Sequence, residues 1–204
     1  MYKVQKFLPS IPIERHGSLK AVFNDEEIER IQFFEKILKF SEANVGNGQD
    51  QRNDPAIRQC ETAFMHVDQN TEWLWQKIAS FVGKANYELF LYDIQFIQSI
   101  QYTIYNSSDE DNGDFYTWHR DDSLTGYAET DRVISGSILL SDPDDFEGGD
   151  FEIDIAGNMN PQKLVLEKGD IFFFDSSMSH RVTPVTSGQR KTLVFWVCGK
   201  KQIA

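Results

Sequence analysis

The chain has 204 residues and a formal net charge of −12, with 40% hydrophobic and 25% charged residues. Because nucleic-acid binding depends mainly on Lys and Arg contacts to phosphate, this charge argues against a nucleic-acid partner. The longest apolar runs, such as IFFF at 171–174, are too short to span a membrane, and the N-terminus lacks the apolar core of a signal peptide. Cys60 and Cys198 show no disulfide framework, so we expect free thiols and a cytoplasmic location.

Two amphipathic helices are predicted in the first half of the chain. Residues 24–40 begin with Asn24 and Glu27 at the spacing of a capping box. A second helix is predicted over 71–86, and the polar segment 41–55 is predicted to be a loop. The apolar residues expected to face the core are Ile28, Ile31, Phe34, Leu38, Leu74, Trp75, Ile78, Phe81, Val82 and Ala85.

From about residue 88, short β-branched and aromatic runs alternate with turn signals, a pattern that favours an antiparallel sandwich or barrel. We predict a single domain over 1–204, with a mostly helical supporting region at 1–87 and a β core at 88–200. The acidic segment 107–114 is predicted to be a solvated loop. The EGGD segment at 147–150 lacks the lysine of a phosphate-binding loop and is predicted to be a hairpin turn. The predicted strands are 96–105, 133–140, 150–155, 163–166, 170–174 and 190–198.

The segment YTWHRDD at 116–122 contains a histidine and a carboxylate two positions apart. In an extended segment, the side chains of His119 and Asp121 project from the same face and can supply two ligands to a divalent metal. His180 follows the apolar run DIFFFD, and at the end of a core strand it can point across a barrel mouth. Two histidines and one carboxylate form the facial triad of non-haem Fe(II) oxygenases, which leaves three metal positions open.

Arg190 adds a second feature to this candidate metal site. In the strand RKTLVFWV, its side chain shares a face with Thr192, Val194 and Trp196. An inward guanidinium needs an anionic partner, and a carboxylate that accepts two hydrogen bonds is the natural one. A metal triad with a buried arginine describes a pocket for a dicarboxylate that chelates the metal at one end.

The stretch from about Ile57 to Lys200 resembles the Fe(II)/2-oxoglutarate-dependent dioxygenases, in the prolyl-4-hydroxylase-like branch that includes PKHD-type hydroxylases. The resemblance implies a mainly β protein with flanking helices, built on a double-stranded β-helix, a cupin-like jelly-roll core. The motifs that carry it are IQYTIYNSSDEDNGDFYTWHRDD (100–122), ISGSILLSDPDDFEGGDFEI (134–153), KGDIFFFDSSMSHRVTPVTSGQRKTLVFW (168–196) and, more weakly, IRQCETAFM (57–65).

By motif position, the resemblance implies that Arg190 binds the distal carboxylate of 2-oxoglutarate. The iron ligands that it implies are His119, Asp121 and His180. The positions that match pocket-lining residues of the family are Gln101, Tyr105 and Trp196. Asp121 also favours hydroxylation over halogenation, which needs that carboxylate position vacant for halide.

One position departs from the pattern of animal protein prolyl hydroxylases. Those enzymes use a tyrosine near the end of the ISGSILL strand to contact 2-oxoglutarate, and Leu139 is the nearest match here. We therefore expect Tyr105, Ser135 or Ser137 to take over this contact.

The activity implied by the resemblance is hydroxylation of an unactivated C–H bond, with release of succinate and CO2. Peptidyl or free proline is the leading substrate, and Fe(II), 2-oxoglutarate, O2 and, as a further candidate, ascorbate are the implied cofactors. The alternatives are a 2-oxoglutarate oxygenase acting on another small molecule or side chain, a cupin-type metal protein without 2-oxoglutarate chemistry, and a non-catalytic binding module. The acidic and aromatic walls at 106–118 and 122–132 predict an entrance for a neutral or basic peptide.

Four residues near or outside these motifs have plainer interpretations. Asp122 is expected to be a surface or supporting residue rather than a ligand. Trp118 is expected either in the core or at the pocket rim. His16 and His66 have no partner motif and are expected to be structural or exposed. The sequence contains no coiled-coil seam, so it does not indicate an oligomeric state.

Overall fold

The computed structural model describes residues 14–46, 52–108, 113–122 and 130–200. Its helices are α1 (Asp25–Gln32) and α2 (Glu72–Ala85), and 3-10 or π turns span 33–36, 86–90 and 143–145. Its strands are β1 (His16–Leu19), β2 (Ser41–Glu42), β3 (Asn44–Val45), β4 (Arg52–Asn53), β5 (Arg58–Gln59), β6 (Glu61–Phe64), β7 (Asp93–Asn106), β8 (Phe115–His119), β9 (Asp131–Leu139), β10 (Phe146–Gly148), β11 (Phe151–Ile153), β12 (Gln162–Lys163), β13 (Ile171–Asp175), β14 (His180–Val182) and β15 (Val185–Lys200).

The strands form two main antiparallel sheets and a small third one. The large sheet has eight strands in the order β1-β13-β9-β15-β7-β6-β2, with β10 attached to β15. The small sheet has five strands in the order β12-β11-β14-β8-β5, and β3 pairs with β4. This mainly β architecture with two flanking helices confirms the predicted jelly-roll core.

The large sheet separates the helices from a cavity because side chains alternate along its strands. On β7, Ile100, Tyr102 and Ile104 pack into a core cluster with helix residues such as Ile31 and Leu74. The intervening side chains, Gln101, Thr103 and Tyr105, line the cavity on the opposite face. One face of the sheet therefore provides stability, and the other provides a candidate site.

The first helix is shorter than predicted. Asn24 forms the expected capping box with Glu27, but α1 ends at Gln32 instead of continuing to residue 40. The chain then tightens into the 3-10 turn, where Glu35 accepts hydrogen bonds from the Tyr102 hydroxyl and the Lys191 ammonium group. These tertiary contacts tie the turn to the large sheet. The second predicted helix, 71–86, is confirmed to within one residue at each end.

Several predicted loops contain ordered structure. The segment 41–55 holds the short strands β2, β3 and β4, with residues 47–51 outside the described part. In the segment 107–114, residues 109–112 lie outside the described part, and Asp114 is buried and accepts a hydrogen bond from the backbone N–H of Asn106. Asp114 is therefore not a solvated loop residue, because its carboxylate closes the loop that follows β7.

The EGGD segment is not a hairpin turn, which corrects the prediction. Gly148 and Gly149 both have positive φ, and the chain passes from β10, paired with β15, to β11, paired with β14. The segment therefore carries the chain from one sheet to the other. A Cβ on Gly148 would lie 2.2 Å from the Pro184 carbonyl oxygen, so this crossing needs glycine.

The predicted helical region 1–87 also contributes strands, since β1, β2 and β6 belong to the large sheet. The predicted division into a supporting region at 1–87 and a β core at 88–200 within a single domain stays a prediction. Both cysteines are buried free thiols, as expected. No helix of the described chain is long and apolar enough to cross a membrane.

Candidate metal centre and co-substrate pocket

Two neighbouring strands of the small sheet bring three candidate metal ligands together. His119 ends β8, and His180 begins β14, where the two residues are paired across the strands. Asp121 follows β8 by two positions. His119 Nε2 lies 3.9 Å from Asp121 Oδ1, and His180 Nε2 lies 3.6 Å from Asp121 Oδ2. One ligand atom from each residue lies within 4.8 Å of the others, a spacing that could hold a metal ion.

Hydrogen bonds orient all three side chains. His119 Nδ1 lies 2.8 Å from the Thr117 carbonyl oxygen, and His180 Nδ1 lies 3.0 Å from the Met178 carbonyl oxygen. A carbonyl oxygen only accepts, so each Nδ1 donates and Nε2 is the ring nitrogen left to bind a metal. The Ser135 hydroxyl donates to Asp121 Oδ2 at 2.8 Å.

The protonation states also suit a divalent cation. Burial, reinforced by the neighbouring His180, lowers the pKa of His119 to about 3, so this imidazole is neutral near pH 7. Burial alone would raise the pKa of Asp121, but His180, His119 and the Ser135 hydrogen bond outweigh it and lower the pKa. A neutral imidazole and an ionised carboxylate are the ligand forms that a metal requires.

Arg190 lies on β15 in the same cavity, interacts electrostatically with Asp150 and has no ion-pair partner among the described residues. It is 3% exposed, and no described residue forms a hydrogen bond or ion pair with its guanidinium, which lies 5.8 Å from the Tyr105 ring centroid. Burial lowers the pKa of Arg190, yet a guanidinium stays charged in proteins. A buried cation without an ion pair is costly, so this position fits an anionic ligand group.

The structure brings all seven predicted site residues to one cavity of about 450 Å³ between the two main sheets. They are His119, Asp121, His180, Arg190, Gln101, Tyr105 and Trp196. The donor set of the triad fits a divalent metal, and the cation beside Tyr105 fits a carboxylate of a co-substrate.

The structure also shows where the residues lie that were expected to replace the tyrosine contact with 2-oxoglutarate, for which Leu139 is the nearest match. Leu139 packs in an apolar cluster, and the Ser135 hydroxyl is engaged by Asp121 and Ser176. Ser137 and Tyr105 line the cavity. Burial raises the pKa of Tyr105, so its hydroxyl keeps its proton and can act as a hydrogen-bond donor.

The sequence interpretation missed an aromatic and cationic layer beside the metal centre. The Tyr116 ring stacks on His119 with a centroid distance of 3.4 Å, and the Arg58 guanidinium lies 4.6 Å from the Tyr116 centroid. Arg132 lies 4.2 Å from the Trp196 ring centroid. The sequence analysis placed Tyr116 in the aromatic wall at 106–118 but not against His119, whereas Arg58 had no signal beyond the weak IRQCETAFM match.

Neither of the two residues that flank the ligands lines the cavity. Asp122 forms an ion pair with Arg120 at 3.4 Å, as expected for a supporting residue. Trp118 is partly exposed beneath the Arg181 guanidinium, so it is not a core residue, and its place at the pocket rim stays a prediction. His66 is exposed, and the ring of His16 lies 6.1 Å from that of Phe172.

The known proteins that this chain resembles are consistent with a metal site at this position. The family model of the 2OG-Fe(II) oxygenase superfamily matches residues 100–198. A PKHD-type hydroxylase of Teredinibacter turnerae is 38% identical over 89 residues, covering 42% of this chain and 38% of that protein. A PKHD-type hydroxylase of Idiomarina loihiensis is 41% identical over 85 residues, covering 42% of this chain and 37% of that protein. The matched part thus spans about two-fifths of the length of these curated relatives.

Solved structures share the fold over most of the chain. A prolyl-4-hydroxylase of Pseudomonas putida has a TM-score of 0.68 at 14% identity, covering 93% of this chain and 94% of that one. A prolyl hydroxylase of Trichoplax adhaerens, in complex with a hypoxia inducible factor peptide fragment, has a TM-score of 0.71 at 16% identity, covering 90% and 83%. The family match, the PKHD-type relatives and the shared jelly roll together show that this chain is similar to 2OG-Fe(II) oxygenases of the prolyl-4-hydroxylase type.

Proposed function

We propose that this chain is an Fe(II)- and 2-oxoglutarate-dependent dioxygenase that hydroxylates a C–H bond. The observation that carries the proposal is the meeting of the three candidate ligands and the unpaired Arg190 guanidinium in one cavity. Fe(II) with 2-oxoglutarate and O2 supplies oxidative decarboxylation to succinate and CO2, coupled to insertion of one oxygen atom into the substrate.

Each of the seven site residues has a defined role in this proposal. His119, Asp121 and His180 hold Fe(II), and Arg190 binds the distal carboxylate of 2-oxoglutarate, with the Tyr105 hydroxyl as a further donor. Trp196 and Gln101 form the wall of the pocket and exclude water from it. The ionised Asp121 occupies the carboxylate position, which favours hydroxylation over halogenation.

The leading substrate is peptidyl or free proline. The PKHD-type relatives and the prolyl hydroxylase folds support this choice, and the Trichoplax adhaerens enzyme supports it further because that structure contains a peptide. A cytoplasmic location is part of the proposal, and the free thiols of Cys60 and Cys198 support it.

Succinate formation by the purified chain tests the proposal. The assay contains Fe(II), 2-oxoglutarate, ascorbate and O2 but no prime substrate, the molecule that the enzyme would hydroxylate. It compares wild type with His180→Ala and Arg190→Ala. We expect slow uncoupled succinate formation in wild type and background levels in both variants. Arg30→Gln is the matched control, because Arg30 lies over Trp73 and does not line the cavity.

Two results would contradict the proposal. Wild type that forms no succinate and binds neither Fe(II) nor 2-oxoglutarate in an anaerobic titration would indicate a non-catalytic protein. Full retention of 2-oxoglutarate binding in Arg190→Lys and Arg190→Ala would remove the role of Arg190, and a cupin-type metal protein would then explain the site better.

A further inference from the structure

Among the described residues, the side chains that line the cavity carry an excess of positive charge that the proposed chemistry does not use. The formal charges of Fe(II) and 2-oxoglutarate cancel, so binding both would leave this excess in place. The chain as a whole has a net charge of −12, so the excess is a local feature of the site. Among the described residues, the charged side chains that line the cavity besides the histidines are Arg58, Arg120, Arg132, Arg190, Glu42 and Asp121.

Arg58 is the arginine whose charge is least compensated once Arg190 is assigned to 2-oxoglutarate. Arg120 is largely exposed and pairs with Asp122. Arg132 donates to the Gln98 side chain at 2.6 Å, lies over Trp196, and interacts electrostatically with Asp121.

Arg58 has only neutral partners in the described chain. It is 9% exposed, and it donates from Nε to Cys60 Sγ at 3.2 Å and from Nη2 to Gln101 Oε1 at 3.0 Å. Burial raises the pKa of the Cys60 thiol, so this partner is not a thiolate near pH 7. No described Asp or Glu lies within ion-pair distance, and the remaining Nη1 donors have no partner among the described residues.

The guanidinium of Arg58 also lies close to the place where chemistry would occur. One aromatic ring, that of Tyr116, separates it from the imidazole of His119. A carboxylate that accepts hydrogen bonds from Arg58 would place the rest of its molecule beside the metal centre. The Arg58 side chain is therefore positioned to bind the prime substrate rather than to stabilise the protein surface.

We infer that the prime substrate carries a carboxylate and that Arg58 binds it. The inference rests on the proposed function, because it names the substrate class of the same site. Free L-proline and peptides that end in proline belong to this class. The inference differs from the expected preference for neutral or basic peptides. Of the acidic residues behind that expectation, Asp114 is buried, binds the Asn106 backbone and does not line the cavity, and residues 109–112 lie outside the described part.

Matched acids and amides test the inference on the enzyme supplied with Fe(II), 2-oxoglutarate, ascorbate and O2. The panel comprises each proteinogenic L-amino acid and short peptides ending in proline, each as the free acid and as the primary amide. Hydroxylation is followed as a mass gain of one oxygen atom, with kcat/KM for each member. We expect the accepted substrates to be acids, with the corresponding amide weaker by about tenfold or more.

Variants of Arg58 separate substrate binding from structural support. Arg58→Gln should remove most of the preference for acid over amide through a higher KM for the acid, and Arg58→Lys should restore part of it. If Arg58 only held Tyr116 against His119, both members of a pair would lose activity equally and the preference would not change. Arg181→Gln is the control, because Arg181 pairs with Glu152 and does not line the cavity.

Three outcomes would overturn the inference: an amide used as efficiently as its acid, an unchanged preference in Arg58→Gln, or no acid of the panel accepted. Uncoupled succinate formation that is lost in His180→Ala reports on the proposed function separately. If that activity is present while the panel fails, only the acidic substrate class is wrong.

Discussion

At the scale of single residues, Asp121 is held by contacts from outside β8 and the residues that follow it. Its backbone N–H donates to the Ser176 carbonyl oxygen at 2.8 Å, and its carboxylate accepts from the Ser135 hydroxyl on β9. Ser135 is fully buried and also contacts the Ser176 hydroxyl. The position of the carboxylate in the small sheet therefore depends on a hydroxyl in the large sheet.

Ser135→Ala should weaken metal binding without removing a ligand. Loss of a hydrogen bond behind a metal ligand commonly lowers affinity by about 10- to 100-fold, because the ligand is no longer oriented. Anaerobic titration with Fe(II) measures the change, and Ser18→Ala on the exposed face of β1 is the control. An affinity equal to that of wild type would show that Ser135 does not orient Asp121.

At the scale of elements, the central strand β9 depends on a close approach that requires glycine. Gly136 is paired with Phe173 on one side and Phe195 on the other, and an added Cβ would lie 2.0 Å from the Phe195 ring. Gly83 in α2 is the opposite case, because its Cβ would meet nothing within 4 Å.

The two glycine-to-alanine substitutions should therefore change stability in opposite directions. Gly136→Ala should lower the free energy of unfolding by about 1–3 kcal/mol, because the core must shift to accept the methyl group. Gly83→Ala should raise it by about 0.5–1 kcal/mol, since alanine loses less backbone entropy in a helix. Urea denaturation measures both, and a destabilised Gly83→Ala together with a neutral Gly136→Ala would contradict the packing described here.

Asp170 joins β1 to β13 through a buried carboxylate. It accepts hydrogen bonds from Lys20 Nζ at 2.6 Å and from the backbone N–H groups of Ala21 and Glu167 at 2.8 and 2.9 Å. Burial alone would raise the pKa of Asp170, but these hydrogen bonds outweigh it and lower the pKa. The folded state therefore favours the ionised carboxylate more than the unfolded state does.

The contribution of Asp170 to stability should depend on pH. Because its pKa is lower in the folded protein, the stabilisation is present above the unfolded pKa and is lost as the pH falls below about 4. Asp170→Asn should lower the free energy of unfolding at pH 7 by about 1.5–3 kcal/mol, and the difference from wild type should shrink in acid. A difference that is constant from pH 7 to pH 3 would show that the charge of Asp170 is not involved.

At the scale of the whole molecule, ligand binding at the site should stabilise the fold. The ligands come from the small sheet, the supporting Ser135 from β9 and the Arg190 cation from β15, so an occupied cavity links both sheets. A ligand at about 100 times its Kd adds about 2.7 kcal/mol to the free energy of unfolding.

Mn(II) with 2-oxoglutarate is a redox-stable pair for measuring this effect. We expect a higher Tm for wild type in their presence and no change in Tm for His180→Ala, with both proteins compared at the same protein concentration. An equal shift in the variant would show that the metal binds elsewhere.

The sequence alone was sufficient for the features whose physical signal is local. Period-two alternation along RKTLVFWV predicted that Arg190 and Trp196 share a face, and the family resemblance placed Gln101 and Tyr105 at the pocket. The structure places all four at the cavity. The fold class followed from the family resemblance of the motifs between 100 and 196, where turn residues and apolar runs recur in order. The capping box at Asn24 is equally local and is present.

The tertiary structure decided the features that depend on pairing between distant segments. Arg58 reaches the metal centre only because β5 pairs with β8, which places Arg58 opposite Tyr116, 58 positions later in the chain. The helix predicted to residue 40 stops at Gln32, where contacts from Tyr102 and Lys191 hold Glu35 in a tighter turn. The positive charge of the cavity in an acidic chain has the same origin, because strand pairing selects which charges converge. Local patterns encode the direction of a side chain, but the neighbours that it meets are determined by the register of the assembled sheets.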